Sequence, residues 1–216
     1  MIVAVDGTAA SGKGTLVAKL AKYFNLASLD TGLLYRSVAF SMIKAGDNLK
    51  DQEKAAKHAT SIDYRLIDSP RLRNSDVGVA SSKIATMKVV RLRLLDFQRK
   101  FAKNPPNGKS GTILDGRDIA TVVCPDADFK IFVTANIEIR AKRRCKQLIE
   151  SDEPAIYARV LEDLRERDAR DSTRQNAPLL KDSDAISIDT SYLNAEQTFE
   201  TARNYIASRD FNRQRV

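Results

Sequence analysis

The stretch Gly7-Thr8-Ala9-Ala10-Ser11-Gly12-Lys13-Gly14-Thr15 constrains the fold of this chain more than any other. It follows Ile2-Val3-Ala4-Val5-Asp6, an apolar run of strand type, and opens into a segment with Leu16, Leu20 and Phe24 at helical spacing. A strand feeding a glycine-rich turn and then a helix is the setting of a phosphate-binding loop. Glycines let the backbone curl around phosphate oxygens with its N–H groups pointing inward. The helix N-terminus adds partial positive charge at the same place. Lys13 adds a full charge within reach of β- and γ-phosphates. A plain Gly/Ser/Ala turn would not require strand, register and helix to agree as they do here. The hydroxyl that usually follows the lysine is displaced by one residue, since Gly14 stands there and Thr15 comes next. No direct protein site for a metal is expected; Mg²⁺ would arrive with ATP and lie near Thr15.

Taken in order, the remaining chain alternates apolar strands with amphipathic helices. Ala27-Ser28-Leu29 reads as a strand ending at Asp30-Thr31-Gly32, and a helix starting near Leu33 carries Leu34, Val38 and Met42 and stops at Gly46. Tyr35 and Arg36 lie one turn past Thr31, near the carboxyl edge where open α/β sheets bind ligands. A capped helix with an exposed arginine is the simpler reading of the same spacing. A Lys-rich helix over 50–59 precedes a weakly patterned stretch with strand character at Tyr64-Arg65-Leu66-Ile67. Val90, Leu94 and Phe101 mark another helix, which ends before the breaker Asn104-Pro105-Pro106-Asn107-Gly108. Thr112-Ile113-Leu114, Phe129–Val133 and Ala185–Asp189 are buried-type strands. A helix with Ile137, Ala141, Cys145 and Leu148 follows the second of them, and the last helix begins near Asn194, which has capping-box spacing to Gln197. The pattern indicates an α/β fold: a mostly parallel five-stranded sheet with helices on both faces.

Composition narrows the class. At 216 residues with 43% hydrophobic and 30% charged content, one domain with insertions is expected. No apolar run approaches a membrane span, and with a strand expected from residue 2 no signal peptide is expected. Cys124, Cys145 and the single His58 form neither a zinc pattern nor a disulfide framework, so a reducing cytoplasm is expected. The net charge of +8 calls for a polyanionic partner. Arg140, Arg143 and Arg144 share one helix, and Arg167, Arg170 and Arg174 share a face by their spacing of 3 and 4. A self-neutralising surface helix would use the pairs Asp163–Arg167 and Glu166–Arg170. Three arginines on one face repel one another without an anion, which favours a clamp over transferring phosphates.

Several motifs together resemble the bacterial cytidylate kinase family, in the nucleoside monophosphate kinase group of P-loop NTPases. They are Asp6 to Thr15, Asp30-Thr-Gly-Leu-Leu-Tyr-Arg36, Ser82-Lys-Ile-Ala85 with Arg91, Asp115-Gly-Arg-Asp118 with Pro125-Asp126-Ala127, and Arg167-Asp-Ala-Arg-Asp-Ser-Thr-Arg174 with Ala177-Pro178. They stand in the family's order and cover nearly the whole chain. The resemblance implies a single kinase domain: a core of 1–58, 92–139 and 175–216, a monophosphate-binding insert of about 59–91, and a lid of about 140–174. It implies ATP-dependent phosphorylation of CMP and dCMP, with ATP on Gly7 to Thr15 and Mg²⁺ as cofactor. Arg36, Arg117 and Arg174 would surround the CMP phosphate, with Thr31 and Tyr35 in the same pocket. Ser82, Arg91 and Asp118 would read the cytosine, and Asp171 with Arg167 would hold the ribose. Lys13, Arg167 and Arg170 would stabilise charge on the phosphoryl in flight. Two features depart from the family pattern: the segment from about 59 to 80 is shorter than the usual insert, and Ala120 stands where glycine is usual.

The base-reading set also makes chemical sense by itself. Asp118 can accept from the cytosine N4 amine, and Arg91 can donate to N3 or O2, whereas uracil presents an acceptor where Asp118 needs a donor. A kinase of AMP or UMP is the rival within the class. A basic nucleotide-binding regulator that touches nucleic acid is the rival outside it, but the arginines cluster in motifs and aromatic content is only 6%. A GTPase lacks its Asn-Lys-x-Asp motif here. The expected partners are ATP and CMP or dCMP, with no nucleic acid and no membrane, acting on a monomer.

Overall fold

The computed structural model describes residues 1–62 and 69–213. Among them, five strands form one sheet: β1 (Ile2–Gly7), β2 (Leu26–Asp30), β3 (Gly111–Gly116), β4 (Phe129–Thr134) and β5 (Ile186–Asp189). Their order is β2-β3-β1-β4-β5, and every pairing is parallel. All five carboxyl ends therefore lie along one edge, with β1 and its loop in the middle. The helices are α1 (Lys13–Tyr23), α2 (Thr31–Lys44), α3 (Gln52–Thr60), α4 (Ser75–Ile84), α5 (Lys88–Lys103), α6 (Ile137–Glu150), α7 (Tyr157–Thr173) and α8 (Ala195–Arg213).

Local signals explain most boundaries. The α2 helix starts at Thr31 rather than near Leu33 because Asp30 caps it, accepting from the Gly32 amide at 3.0 Å. It ends at Lys44, and Gly46 just beyond takes a left-handed φ of 69°. The capping box at α8 is formed: the Asn194 amide donates to Gln197 Oε1 at 3.0 Å and the Gln197 amide to Asn194 Oδ1 at 2.9 Å. The strand expected at Tyr64–Ile67 lies outside the described residues. The sequence pattern misses α4, a helix of ten residues with Gly78 in its interior, and a π-helical turn at Ile119–Val123.

Four apolar clusters hold these elements together. Leu16 and Leu20 of α1 and Phe199 and Ile206 of α8 pack on Phe129 and Ile131 from one sheet face. Ala102 of α5 packs with Leu114, Ile119 and Val123 on the other. Each fully buried leucine or isoleucine there contributes roughly 2 kcal/mol. A third cluster joins Leu34, Met42, Val77, Ile84, Val90 and Leu94 across α2, α4 and α5. The segment 59–91 thus shares its core with its neighbours, and its expected limits fall inside α3 and α5. The fourth cluster, Ala141, Leu148, Val160 and Leu164 of α6 and α7, closes on Ala9 of the glycine-rich loop.

Candidate active site

The carboxyl edge of the sheet opens into a cleft of about 560 Å³, the size of a ligand site. Its floor is the loop between β1 and α1. Gly7 there has a φ of 148°, and a Cβ on it would lie 1.9 Å from the Val133 carbonyl oxygen, so only glycine lets the chain leave β1 against β4. Ala9, Ala10, Gly12, Lys13, Gly14 and Thr15 line the cleft, and Gly7, Thr8 and Ser11 of the same loop do not. The Ser11 hydroxyl and Lys13 Nζ both donate to the Thr8 carbonyl at 2.9 Å. Thr190 Oγ1, past β5, donates to the Ser11 carbonyl at 2.8 Å, and Arg140 of α6 to the Ala9 carbonyl at 3.2 Å.

Lys13 is buried, with Asp115 Oδ1 3.8 Å from its Nζ. Burial first, then repulsion by Arg117, push the Lys13 ammonium down to about 8, while Asp115 pulls the other way. Burial likewise raises the Asp115 carboxyl to about 6 against the pull of Lys13. An incoming polyphosphate would favour the charged lysine at this place.

The facing wall is built from α2, α4, α5, α7 and the turn after β3. All ten residues expected around CMP line the cleft: Thr31, Tyr35, Arg36, Ser82, Arg91, Arg117, Asp118, Arg167, Asp171 and Arg174. Thr31 Oγ1 donates to the Asp115 carbonyl at 2.8 Å and fixes the start of α2 against β3. Arg36 donates to the Leu72 and Asn74 carbonyls at 2.6 and 3.2 Å. Arg91 pairs directly with Asp118, donates to the Ala85 carbonyl at 3.0 Å, and lies over the Tyr35 ring at 5.5 Å. Asp171 gathers three guanidinium groups: Arg117 Nε donates to it at 2.9 Å, while Arg167 and Arg174 form ion pairs with it at 3.8 and 3.9 Å, too far for a hydrogen bond. Burial raises the Asp171 carboxyl, but those three cations outweigh it and hold the group below its ordinary range.

The wall carries more positive charge than its own carboxylates neutralise. Burial, then repulsion by Arg117, push Arg167 down to about 9; burial and Arg144 push Arg36 down to about 10. Burial and Arg91 lower Arg174. A guanidinium keeps its proton at neutral pH, so these shifts record burial first and mutual repulsion second, both of which a bound anion would offset. Arg167 Nε and Arg174 Nη2 are buried without a hydrogen-bond partner. Unsatisfied buried donors on charged groups are costly, and a phosphate oxygen is the acceptor that would satisfy both.

Arg170 stands apart from the other expected residues. It pairs with Glu166 at 3.1 Å, donates to Ser82 Oγ at 3.3 Å, and lines a smaller cavity of about 60 Å³ beside the cleft, between α4 and α7. The pair Glu166–Arg170 is formed as its spacing suggests, whereas Arg167 turns to Asp171. Sequence reasoning gave no role to Asp115, to Arg144 on the cleft wall, or to Asp168, which receives Arg140 Nη2 at 2.6 Å. Asp115 and Asp168 sit inside the quoted motifs, which was the available signal. Glu153 also escaped it: its carboxylate accepts from the Ser75 amide at 2.9 Å and caps α4 from 78 residues away.

Thr15, Asp30 and Asp115 line the cleft with hard oxygen donors, and though among the described residues no group of three or more His, Cys, Asp or Glu could hold a metal, such donors fit Mg²⁺, an ion that keeps several waters and takes few protein ligands beside phosphate. Among the described residues no helix is long and apolar enough to cross a membrane. Cys124 packs under the π-helical turn, and burial, then Asp126, push its thiol up to about 11, away from reactivity.

A family model described as cytidylate kinase matches residues 3–208. The chain is 50% identical over 202 residues to a cytidylate kinase of Methylocella silvestris, covering 94% of this chain and 92% of that one. It is 49% identical to a cytidylate kinase of Paramagnetospirillum magneticum, covering 96% and 98%, and 45% identical to one of Bradyrhizobium over the full length of both. A solved structure of an uncharacterized protein from Eubacterium ventriosum superposes with a TM-score of 0.54 at 17% identity, covering 96% and 99% of the two chains, a likeness of fold alone.

Proposed function

The chain belongs to the cytidylate kinase family and transfers a phosphoryl group from ATP to CMP, and on that premise we propose how its cleft divides the work. The ATP triphosphate lies along Gly7 to Thr15, with backbone N–H groups and Lys13 on its β- and γ-phosphates. CMP enters on the side of α2, α4 and α5. Its phosphate meets Arg36, Arg117 and Arg174, and its base meets Ser82, Arg91 and Asp118, beside Thr31 and Tyr35. The residues expected around CMP thus form one continuous wall opposite the loop, which supports this reading.

An oxygen of the CMP phosphate attacks the γ-phosphorus in line. The new P–O bond forms as the bond to the β,γ-bridging oxygen breaks, leaving CDP and ADP. The nucleophile is already anionic, so the protein needs no general base; positioning and electrostatics supply the rate. Lys13 and Arg167 would meet the moving charge. Arg170 reaches it only if it leaves Glu166 and Ser82, which fits a lid of about 140–174 that closes over an insert of about 59–91. Mg²⁺, held by the phosphates with Thr15 and Asp115 nearby, would neutralise charge on the β- and γ-oxygens.

We further propose that dCMP is accepted. Asp171 would take the ribose 2′-hydroxyl, yet Arg117 already pairs with it at 2.9 Å, so a deoxyribose leaves no carboxylate stranded. The enzyme acts as a monomer in this reading.

The observation that carries the proposal is the pair of unsatisfied guanidinium donors, Arg167 Nε and Arg174 Nη2, in a cationic wall facing Lys13. The test is ADP formation from ATP·Mg²⁺ with CMP, dCMP, UMP, AMP and GMP offered separately. Turnover with CMP and dCMP, and UMP poorer by about 10–100-fold in kcat/KM, is expected. Equal turnover of UMP would remove the roles given to Asp118 and Arg91.

A further inference from the structure

Asp6 is a buried carboxylate that the chemistry above leaves unused. It ends the apolar run of β1 one residue before the glycine-rich loop and is 2% exposed. Its two oxygens accept from consecutive backbone amides, Oδ1 from Ile119 at 2.8 Å and Oδ2 from Ala120 at 2.7 Å. Those amides open the π-helical turn directly after Arg117 and Asp118. One such bond would leave the peptide between them free to swivel; two fix both its position and its tilt. The other side of the same turn is closed at Gly116. A Cβ there would lie 2.6 Å from Ile119 Cδ1 and 2.8 Å from Thr31 Oγ1, so the turn is packed directly against the strand end.

The fold alone does not ask for a carboxylate at this place. Val3, Ala4 and Val5 on the same strand are apolar and fully buried, and a buried charge costs more than an apolar side chain of similar volume. Burial pushes the Asp6 carboxyl up to about 7 even though both amides pull it down. What the carboxylate adds is a rigid link, 113 residues apart in sequence, between the strand that launches the phosphate loop and the turn that carries Asp118.

We propose that Asp6 is a positioning residue for acceptor recognition: it holds the Arg117–Asp118 turn, and through Asp118 the Arg91 guanidinium, in the geometry that tells cytosine from uracil. The inference rests on the reading that Asp118 meets the base.

Asp6→Asn tests it in steady-state assays of the full chain, with CMP and UMP as acceptors and ATP varied separately. Asparagine keeps one acceptor oxygen and turns an amine toward the other amide. The expected result is a rise of about tenfold in KM for CMP and a comparable narrowing of the CMP-over-UMP ratio of kcat/KM, with KM for ATP changed by less than about twofold. An unchanged ratio, or KM for ATP and CMP rising together as in a general loosening, would overturn the proposal. The unsubstituted chain is assayed first, because failure there to use CMP would remove the premise and the inference with it. Should the variant not fold, hydrogen exchange on the unsubstituted chain decides. The Ile119 and Ala120 amides are expected to be protected as strongly as those of Val122 and Cys124, which donate within the turn, and exchange as fast as in the loop at 104–109 would contradict the clamp.

Discussion

The glycine-rich loop and the arginine wall across from it differ in how completely the protein satisfies them. The loop is largely satisfied: Ser11, Lys13, Arg140 and Thr190 each donate to one of its carbonyls and Ala9 is packed against α6 and α7, leaving the Thr8 hydroxyl as its one buried side-chain atom without a hydrogen-bond partner. The wall is not. Two of its guanidinium donors lack hydrogen-bond partners, their paired carboxylates standing 3.8 Å away, and Arg36, Arg167 and Arg174 are all held below their ordinary values. A preformed loop binds triphosphate without reorganising. Against burial, the wall's Arg91 and Arg117 are already held up by Asp118 and Asp171, so an anion entering the wall should stabilise chiefly Arg36, Arg167 and Arg174.

The largest effect should come from dismantling a strut of the loop. Arg140→Ala strands the Asp168 carboxylate and frees the Ala9 and Ala135 carbonyls. Loss of about 3 kcal/mol in chemical denaturation is expected, with KM for ATP rising more than KM for CMP. Equal rises would mean that the loop and the wall are not separately supported. Next, Lys13→Ala should lower kcat by about 10²–10³-fold for CMP and dCMP alike; a loss confined to one acceptor would place Lys13 with the wall.

A pH titration separates the two regions more gently. Lys13, lowered from 10.5 to about 8 in the free chain, loses its proton as pH rises through that value. Profiles of kcat/KM for ATP should therefore fall about tenfold per unit above pH 8. With ATP bound, the phosphates favour the ammonium, so kcat itself should hold to higher pH. Coincident falls of kcat and kcat/KM would contradict the depressed lysine. The smallest effect is a control that touches neither region: Asn194→Ala should cost about 1 kcal/mol of stability through the α8 cap and leave both KM values in place.

The same contrast shows what local sequence can carry. The loop, the strand-helix alternation and the Asn194–Gln197 box are each written within a few residues, and the structure reproduces them. The ten wall residues were nameable because they lie in short motifs. The clamp of Asp6 on Ile119 and Ala120, the Glu153 cap on α4 and the Arg140–Asp168 pair join positions 28 to 114 residues apart, and no local pattern encodes such a meeting. The α4 helix escaped because Gly78 interrupts its pattern and its apolar face is completed only by α2 and α5. The spacing puts Arg167, Arg170 and Arg174 on one helical face, yet α7 ends at Thr173 and leaves Arg174 in extended backbone beyond it, while Glu166 and Ser82 draw the Arg170 head group to the neighbouring cavity.

Equilibrium binding to Arg174→Ala, read by calorimetry with CMP and with a non-hydrolysable ATP analogue in separate titrations, tests the division between floor and wall most directly. Arg174 is buried, bridges toward Asp118 and Asp171, and carries one of the two unsatisfied donors. CMP affinity should fall by about 10²-fold while that of the ATP analogue changes by less than about threefold. An equal loss for both ligands would contradict the assignment of the wall to the acceptor.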